Sequence, residues 1–484
     1  LSSSFRKKMA DGFAWESMTR LIVQIASWIS TVWVAALLTP DDYGLVGVAG
    51  IFTGFLLRIA GLGLGSAIVN SPLNSFRTQS ACFWLIFGVS GLCYLLLYSC
   101  SGWIETYFEM SDLARVIQVS GLMLFFSGLS AVPQALLMRA MSYKTVALIG
   151  MCSNFIVIGA TLALAFLGFG YWSLILSTLA AEVFMTICFF ATTRFSPLLV
   201  FDVSQISSQL RYGLQIAAAN IVRFINTQWP VGIIGTYLGQ AATGSFQMAH
   251  MLAALPLVKI GEIFEKITFP AVSSIQNDRE EVRRLFLVMH RNLVIITVPM
   301  FLGLAFIAED LVMLVLGDKW VSIISPMQIL CILNVLRVSA QLMPRFLDGV
   351  GDPKANVFYQ AALFVIVPTS LLVGITWGLE GMLWSWTICY PIAYLFLIAR
   401  LKAKIAVRVS VIFDSIFPAV LSACVMCLVL FVFDENVVFA PFYQLITKIL
   451  IGCSVYFLTY YLLRRQDLKD LIDLFRKAKI LEEH

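Results

Sequence analysis

Basic side chains stand where the chain is otherwise apolar: Arg20, Arg58, Arg223, Lys259 and Arg337. A charge at the centre of a bilayer costs about 2.5–3.5 kcal/mol on insertion scales, so each of these needs a partner or a ligand. Arg58 lies near the middle of its stretch with no acid within four residues on either side, and Arg223 and Arg337 are equally unaccompanied. Such cations either pair across helices, with an acid or a carbonyl, or line a cavity that takes an anion; the cavity role is favoured. Lys259 has Glu262 one turn away, and Arg20 has Glu16 four residues before it. For Arg20 a helical ion pair plus snorkelling stands level with a ligand role. Glu182 is the lone acid of its stretch. It is a candidate carrier of a coupling proton or, equally, a structural partner for one of the arginines. Lys266 and Lys448, close to span ends, are expected to snorkel, and His250 to pack.

The elements that must position these groups are fourteen long apolar stretches, roughly 12–38, 43–69, 76–99, 113–138, 145–167, 171–193, 210–238, 244–271, 286–308, 321–347, 355–376, 379–400, 411–433 and 441–463. The first is ~40 Å long as a helix, enough to cross a ~30 Å hydrocarbon core with tilt. Bilayer hydrocarbon offers no water to open backbone groups, and the runs are too long for barrel strands, so the fold class is all-α and polytopic. Composition agrees: 60% of residues are hydrophobic and 13% charged, against roughly 25% charged in soluble domains. The net charge of +5 sits in short loops and is no nucleic-acid signature. Arg6, Lys7 and Lys8 precede a span too long for a signal h-region, with no small-residue cleavage site after it. Cys424 and Cys427 form a C-x-x-C inside a spanning stretch and are read as packing.

Loop charge sets the orientation. One side carries most of the free Lys and Arg, from Arg6 and Arg77 through Arg139, Arg283, Arg400 and Lys404 to Arg465; the other carries Asp41, Glu105, Glu309, Glu380 and Asp434, with little more than Lys319 among bases. The positive-inside rule then places both termini in the cytoplasm. Leu198–Arg211 and the tail after Leu463 have apolar residues at helical spacing and are expected to lie along the inner surface. The chain also repeats itself at an offset near 200. Leu38, Gly44 and Ala49 correspond to Leu238, Gly244 and Ala249; Pro133 and Lys144 correspond to Pro344 and Lys354. A six-plus-six duplication follows, with an N-lobe over 1–197, an amphipathic linker over 198–209, a C-lobe over 210–404, and two further helices with a cytoplasmic tail over 405–484. The repeat maps Arg58 close to Lys259 and Arg20 close to Arg223. Transporters of such build place substrate between the halves.

Enzyme chemistry finds no footing. There is no G-x-x-x-x-G-K-[ST] and no H-E-x-x-H, and no outer loop is large enough for a catalytic site. No metal set or cofactor fingerprint is present, since Gly61-Leu62-Gly63-Leu64-Gly65 lies inside an apolar span and reads as close packing or a local bend. The chain is therefore not expected to be an enzyme.

Ala35-Ala36-Leu37-Leu38-Thr39-Pro40-Asp41-Asp42-Tyr43-Gly44-Leu45 resembles the first outer turn of bacterial polysaccharide flippases, L-L-x-P-x-[DE]-[FY]-G. Gly61-Leu62-Gly63-Leu64-Gly65-Ser66-Ala67 resembles their D-L-G-L-G-x-A stretch, with Ala60-Gly61 in place of the acidic lead-in. Phe269-Pro270-Ala271, Asp278 to Arg284, and Leu316-Gly317-Asp318-Lys319-Trp320 extend the likeness over nearly the whole chain. The pattern resembles the oligosaccharide flippase branch of the multidrug/oligosaccharidyl-lipid/polysaccharide superfamily, close to lipopolysaccharide and colanic-acid exporters.

That resemblance implies two six-helix lobes in a V and alternating access, with two helices appended. It implies an undecaprenyl-diphosphate-linked oligosaccharide as substrate, moved from the inner to the outer leaflet of the cytoplasmic (inner) membrane for surface polysaccharide synthesis. Related lipid II flippases carry cavity arginines on helices 1, 2 and 8; here those helices hold Arg20, Arg58 and Lys259, the last without the bidentate fork. Asn226 and Gln228 are candidates for the sugar. Membrane lipids, a polysaccharide polymerase and glycosyltransferases are the expected partners, and no cofactor is expected beyond coupling to H+ or Na+. Lipid II, or a drug exported against a cation, is the alternative cargo; a membrane polymerase is a weaker rival.

Overall fold

The computed structural model describes residues 27, 30–70, 75–199, 207–437 and 439–468. These form α-helices joined by tight turns and two short 3-10 segments, with no strand among the described residues. Two compact units divide the chain, Leu1–Gly244 and Ser245–His484. The first holds α1 (Pro40–Ala60), α2 (Leu64–Asn70), α3 (Phe76–Phe108), α4 (Leu113–Gly121), α5 (Met123–Arg139), α6 (Tyr143–Phe166), α7 (Trp172–Thr193) and most of α8 (Ser207–Ala253). The second holds the end of α8, then α9 (Leu255–Ile275), α10 (Arg279–Phe306), α11 (Ala308–Val315), α12 (Ile324–Gly349), α13 (Pro353–Gly374), α14 (Gly378–Ile405), α15 (Val409–Asn436) and α16 (Pro441–Leu463).

Ten segments among the described residues are long and apolar enough to cross a membrane. One of them, Pro353–Ile405, contains two helices, α13 and α14, joined by the 3-10 turn Ile375–Trp377. The two stretches expected over 210–238 and 244–271 are the continuous helical run α8, kinked at Gly239, and α9. Of the stretch over 12–38, only 27 and 30–38 are described, and 30–37 is helical. The protein is thus a multi-pass helical membrane protein.

The turn before α1 is a capping box, and the sequence spells it out. Asp42 N–H donates to Thr39 Oγ1 at 3.4 Å, and Thr39 N–H donates back to Asp42 Oδ2 at 2.8 Å. Pro40 occupies the first helical turn, where its missing N–H costs nothing. The second carboxylate oxygen of Asp42 accepts from the Tyr171 backbone N–H at 3.1 Å, which ties this turn to the start of α7. Gly44 then lets α1 touch α8: a methyl group on it would run into the Gln240 carbonyl oxygen, and one on Gly244 would run into that of Pro40. Gly44 and Gly244 therefore meet backbone to backbone. Gln240 Nε2–H adds a bond to Asp41 O at 2.8 Å.

The expected span over 43–69 is broken. α1 stops at Ala60, Leu62 and Gly63 take positive φ of 47° and 64°, and α2 starts at Leu64. Gly63 also lies against the backbone of Gly213 on α8, which leaves no room for a side chain. The glycine-rich string is thus both bend and close contact.

In the second unit α15 and α16 dock on α10 through Val294, Ile295, Val298, Ala423, Met426 and Tyr456. Tyr456 donates its hydroxyl to Ile295 O at 2.9 Å. His290, not singled out by sequence, is fully buried and joins four helices. Its Nδ1 lies 3.0 Å from Ser415 Oγ, its Nε2 lies 2.8 Å from Ser339 Oγ, and Ser339 Oγ lies 2.7 Å from Tyr394 Oη. Because Ser415 gives its own proton to Ile412 O, His290 must donate through Nδ1 and accept at Nε2.

Lys448 overturns its expectation. It does not snorkel: it is 2% exposed and bonds Asp310 of α11 at 2.6 Å and Asp434 of α15 at 2.7 Å. Glu309 and Asp310 were read as loop residues, yet they form the first turn of α11, where acids suit the helix dipole. Of the two amphipathic segments, 200–206 and the tail beyond Leu468 lie outside the described residues. What is described of the linker is pinned to α3: Trp84 Nε1–H donates to Leu198 O at 2.9 Å, and Leu198 N–H donates to Ser80 Oγ at 3.0 Å.

Candidate functional site

The break after α1 gives Arg58 a position that sequence reading missed. It is not in mid-helix but in the last turn of α1, where carbonyls lose their helical partners and a cation is favoured. Nη1 donates to Gly54 O at 2.7 Å, and the guanidinium carbon lies 4.0 Å from the centre of the Phe224 ring on α8. The bare backbone of Gly54 leaves the space that this ring fills. One N–H is thereby engaged, the cation is braced against an aromatic face, and the residue stays exposed. No acid among the described residues pairs with it. A guanidinium fixed on one side and open on the other is built to take an oxyanion.

The same contact brings Arg58 to the stretch of α8 that holds the other candidates of the first unit. Arg223 precedes Phe224, is exposed, and has no acidic partner among the described residues. Asn226 and Gln228 follow and are half-buried. Phe224 is the member of this group that the sequence did not reveal; its signal was only an aromatic ring beside an arginine. Arg20 and Glu16 lie outside the described residues. Glu182 on α7 is half-buried, and its carboxylate has no hydrogen-bond or ion-pair partner among the described residues, so none of the described arginines holds it.

In the second unit the backbone of Lys259 lies within α9, while its side chain and that of Glu262 lie outside the description. Arg337 on α12 differs in kind from Arg58. It is half-buried, donates to Asn334 Oδ1 at 3.2 Å, and has its guanidinium carbon 5.8 Å from the centre of the Trp386 ring on α14. Asn334, itself buried, is held by a bond from Nδ2 to Ala253 O at 2.9 Å. His250 stacks on Phe246 with ring centres 5.6 Å apart, a packing role. The described residues hold no group of three or more His, Cys, Asp or Glu suited to a metal ion.

The fold is shared with a class of solved membrane transporters, among them an inward-facing multidrug transporter of the MOP superfamily, which matches with a TM-score of 0.61 at 16% identity over 81% of this chain and 98% of its own. A lipid II flippase, MurJ in an inward-closed conformation, matches with a TM-score of 0.73 at 17% identity, over 93% of this chain and 100% of its own. Within that class, the sequence pattern of the family described as polysaccharide biosynthesis protein matches residues 33–325, and the chain belongs to that family. Among its relatives is the succinoglycan biosynthesis transport protein ExoT of Rhizobium meliloti, 23% identical over 98% of this chain and 97% of that protein. Another is the lipopolysaccharide biosynthesis protein WzxC of Escherichia coli, 25% identical over 78% of each chain.

Proposed function

We propose that this protein is a flippase that carries an undecaprenyl-diphosphate-linked oligosaccharide from the inner to the outer leaflet of the bacterial cytoplasmic membrane, for surface polysaccharide synthesis. Beside family membership, the observation that carries this reading is Arg58: an exposed guanidinium in a membrane-spanning segment, braced on Phe224 and without an acid among the described residues. A diphosphate loses its hydration on entering a membrane protein, and fixed guanidinium donors replace it. Arg58 and Arg223 supply them, and Arg20 and Lys259 are the further basic groups we assign to the diphosphate. Asn226 and Gln228 take the sugar hydroxyls, and the lipid tail stays in the bilayer. Inward- and outward-open states exchange by rocking of the repeats, with both termini in the cytoplasm. Glu182 is the group we assign to a coupling proton. A polymerase and glycosyltransferases supply and consume the cargo.

The test is a deletion strain, which should accumulate the lipid-linked repeat in the inner leaflet, complemented with Arg58 variants at matched protein level. Arg58→Ala should lose transport while the protein is still made. Its helix-end role is worth only about 0.3–1 kcal/mol. Arg58→Lys should restore part, since the charge stays and the fork is lost. Arg58→Glu should be worse than alanine. Full complementation by Arg58→Glu at wild-type level would remove Arg58 from the substrate path.

A further inference from the structure

The second unit contains a cluster rich in hydrogen-bond donors, several of which have no acceptor among the described residues. Arg337 carries five N–H groups. One bonds Asn334 Oδ1; no acid among the described residues pairs with the guanidinium. The indole over which it lies, Trp386, is 6% exposed, and its buried Nε1–H has no acceptor among the described residues. Tyr359 and Tyr390, 6% and 4% exposed, share one hydroxyl hydrogen bond of 2.8 Å. In such a pair one hydroxyl donates to the other, so one O–H proton is always left over. Trp386 and Tyr390 stand one helical turn apart on α14, so the hydroxyl pair lies on the same helix face as the indole. A buried donor without an acceptor costs about 1–3 kcal/mol, and an uncompensated cation in a membrane segment costs more. An anion held by these groups would offset both costs.

We propose that Arg337, Trp386 and the Tyr359–Tyr390 pair form a binding site for a small inorganic monoanion of chloride size, inside the second unit and separate from the cargo path. The donors decide the ligand. They include a full positive charge and neutral N–H and O–H groups, a set that excludes a metal cation. Three of the four side chains are at least nine-tenths buried, which suits a compact single charge better than a sugar or a diphosphate. The half-exposed edge of Arg337 is the way in. Asn334 holds the guanidinium by one N–H and leaves the remainder for the ion.

The experiment uses the full chain, purified and held in lipid nanodiscs. Chloride replaces gluconate at constant ionic strength while the unfolding temperature is followed. Saturation at ~100 times the half-saturating concentration should raise Tm by about 5–10 °C. Trp386→Phe keeps the ring and removes the N–H, and should raise the half-saturating chloride concentration about tenfold, the weight of one lost hydrogen bond to a charge. Arg337→Gln should abolish the response, whereas Arg58→Gln should leave it intact, which separates this site from the proposed diphosphate site. Absence of a saturable, chloride-specific rise in the wild-type protein would mean that water fills the cluster, and would overturn the proposal. A response unchanged in Trp386→Phe would also overturn it, and this arm stands even where Arg337→Gln does not fold.

Discussion

Lys448→Met should destabilise the second unit far more than the loss of an ordinary surface lysine. The Lys448 side chain is 2% exposed, while those of Asp310 and Asp434 are 28% and 39% exposed. Both carboxylates reach one ammonium, so once it is gone they face each other at about 5 Å. At that separation, an effective dielectric between that of a protein surface and that of water gives a repulsion of about 1–3 kcal/mol. Breaking a fully buried pair costs about 3–5 kcal/mol; partial hydration of the two acids brings the figure to about 3 kcal/mol, or roughly 6–12 °C in Tm for a unit of this size. Gln444, which donates to Asp434 at 2.7 Å, cannot replace the charge. The measurement is thermal unfolding of detergent-purified variants. Lys448→Met with Asp310→Asn and Asp434→Asn should recover most of the loss, because the fault lies in the stranded charges and not in the missing methylenes. If Lys448→Met unfolds within 1 °C of wild type (less than about 0.5 kcal/mol), or if the triple variant is no better than the single, the triad is not what holds α11, α15 and α16 together.

Gly63→Ala should cost several kcal/mol, since it meets a positive φ and the Gly213 backbone at once; expression and thermal unfolding read it, and near-normal stability would contradict the close crossing. Glu182→Gln should weaken the dependence of flipping on the proton gradient without lowering protein level, and a variant that stays fully gradient-sensitive would take Glu182 out of coupling. In a background cleared of native cysteines, periplasmic thiol reagents should label Glu105→Cys and spare Asn277→Cys; the reverse pattern would invert the proposed topology.

Sequence reading reached the helical class, the placement of most spans and the family, because hydrophobic length and loop charge are summed over many residues and survive local irregularities. It failed where one residue changes the path. The glycine string signals a bend or a close contact, but not that the stop at Gly61–Gly63 makes Arg58 a helix-end arginine, with Gly63 against the distant backbone of Gly213. It failed again where partners are distant in sequence. Lys448 and Asp310 are 138 residues apart, and a lysine near a span end looks the same whether it reaches for water or for a carboxylate. The donor cluster around Arg337 was half visible: the arginine stood out by its cost, whereas Trp386 and Tyr390, four residues apart on an apolar helix, looked like ordinary core.

The string around Pro40 that marks this family is occupied by carpentry. Thr39 and Asp42 close a cap, Asp42 fastens the start of α7, and Gly44 gives up its side chain so that two backbones can touch. None of these atoms is left over to inspect a cargo. A search with that string therefore retrieves proteins that share a frame, whatever they carry. Diversity in the sugars handled must be written elsewhere, in side chains free to vary without loosening a joint. The part of the chain that builds the frame and the part that names the passenger need not overlap.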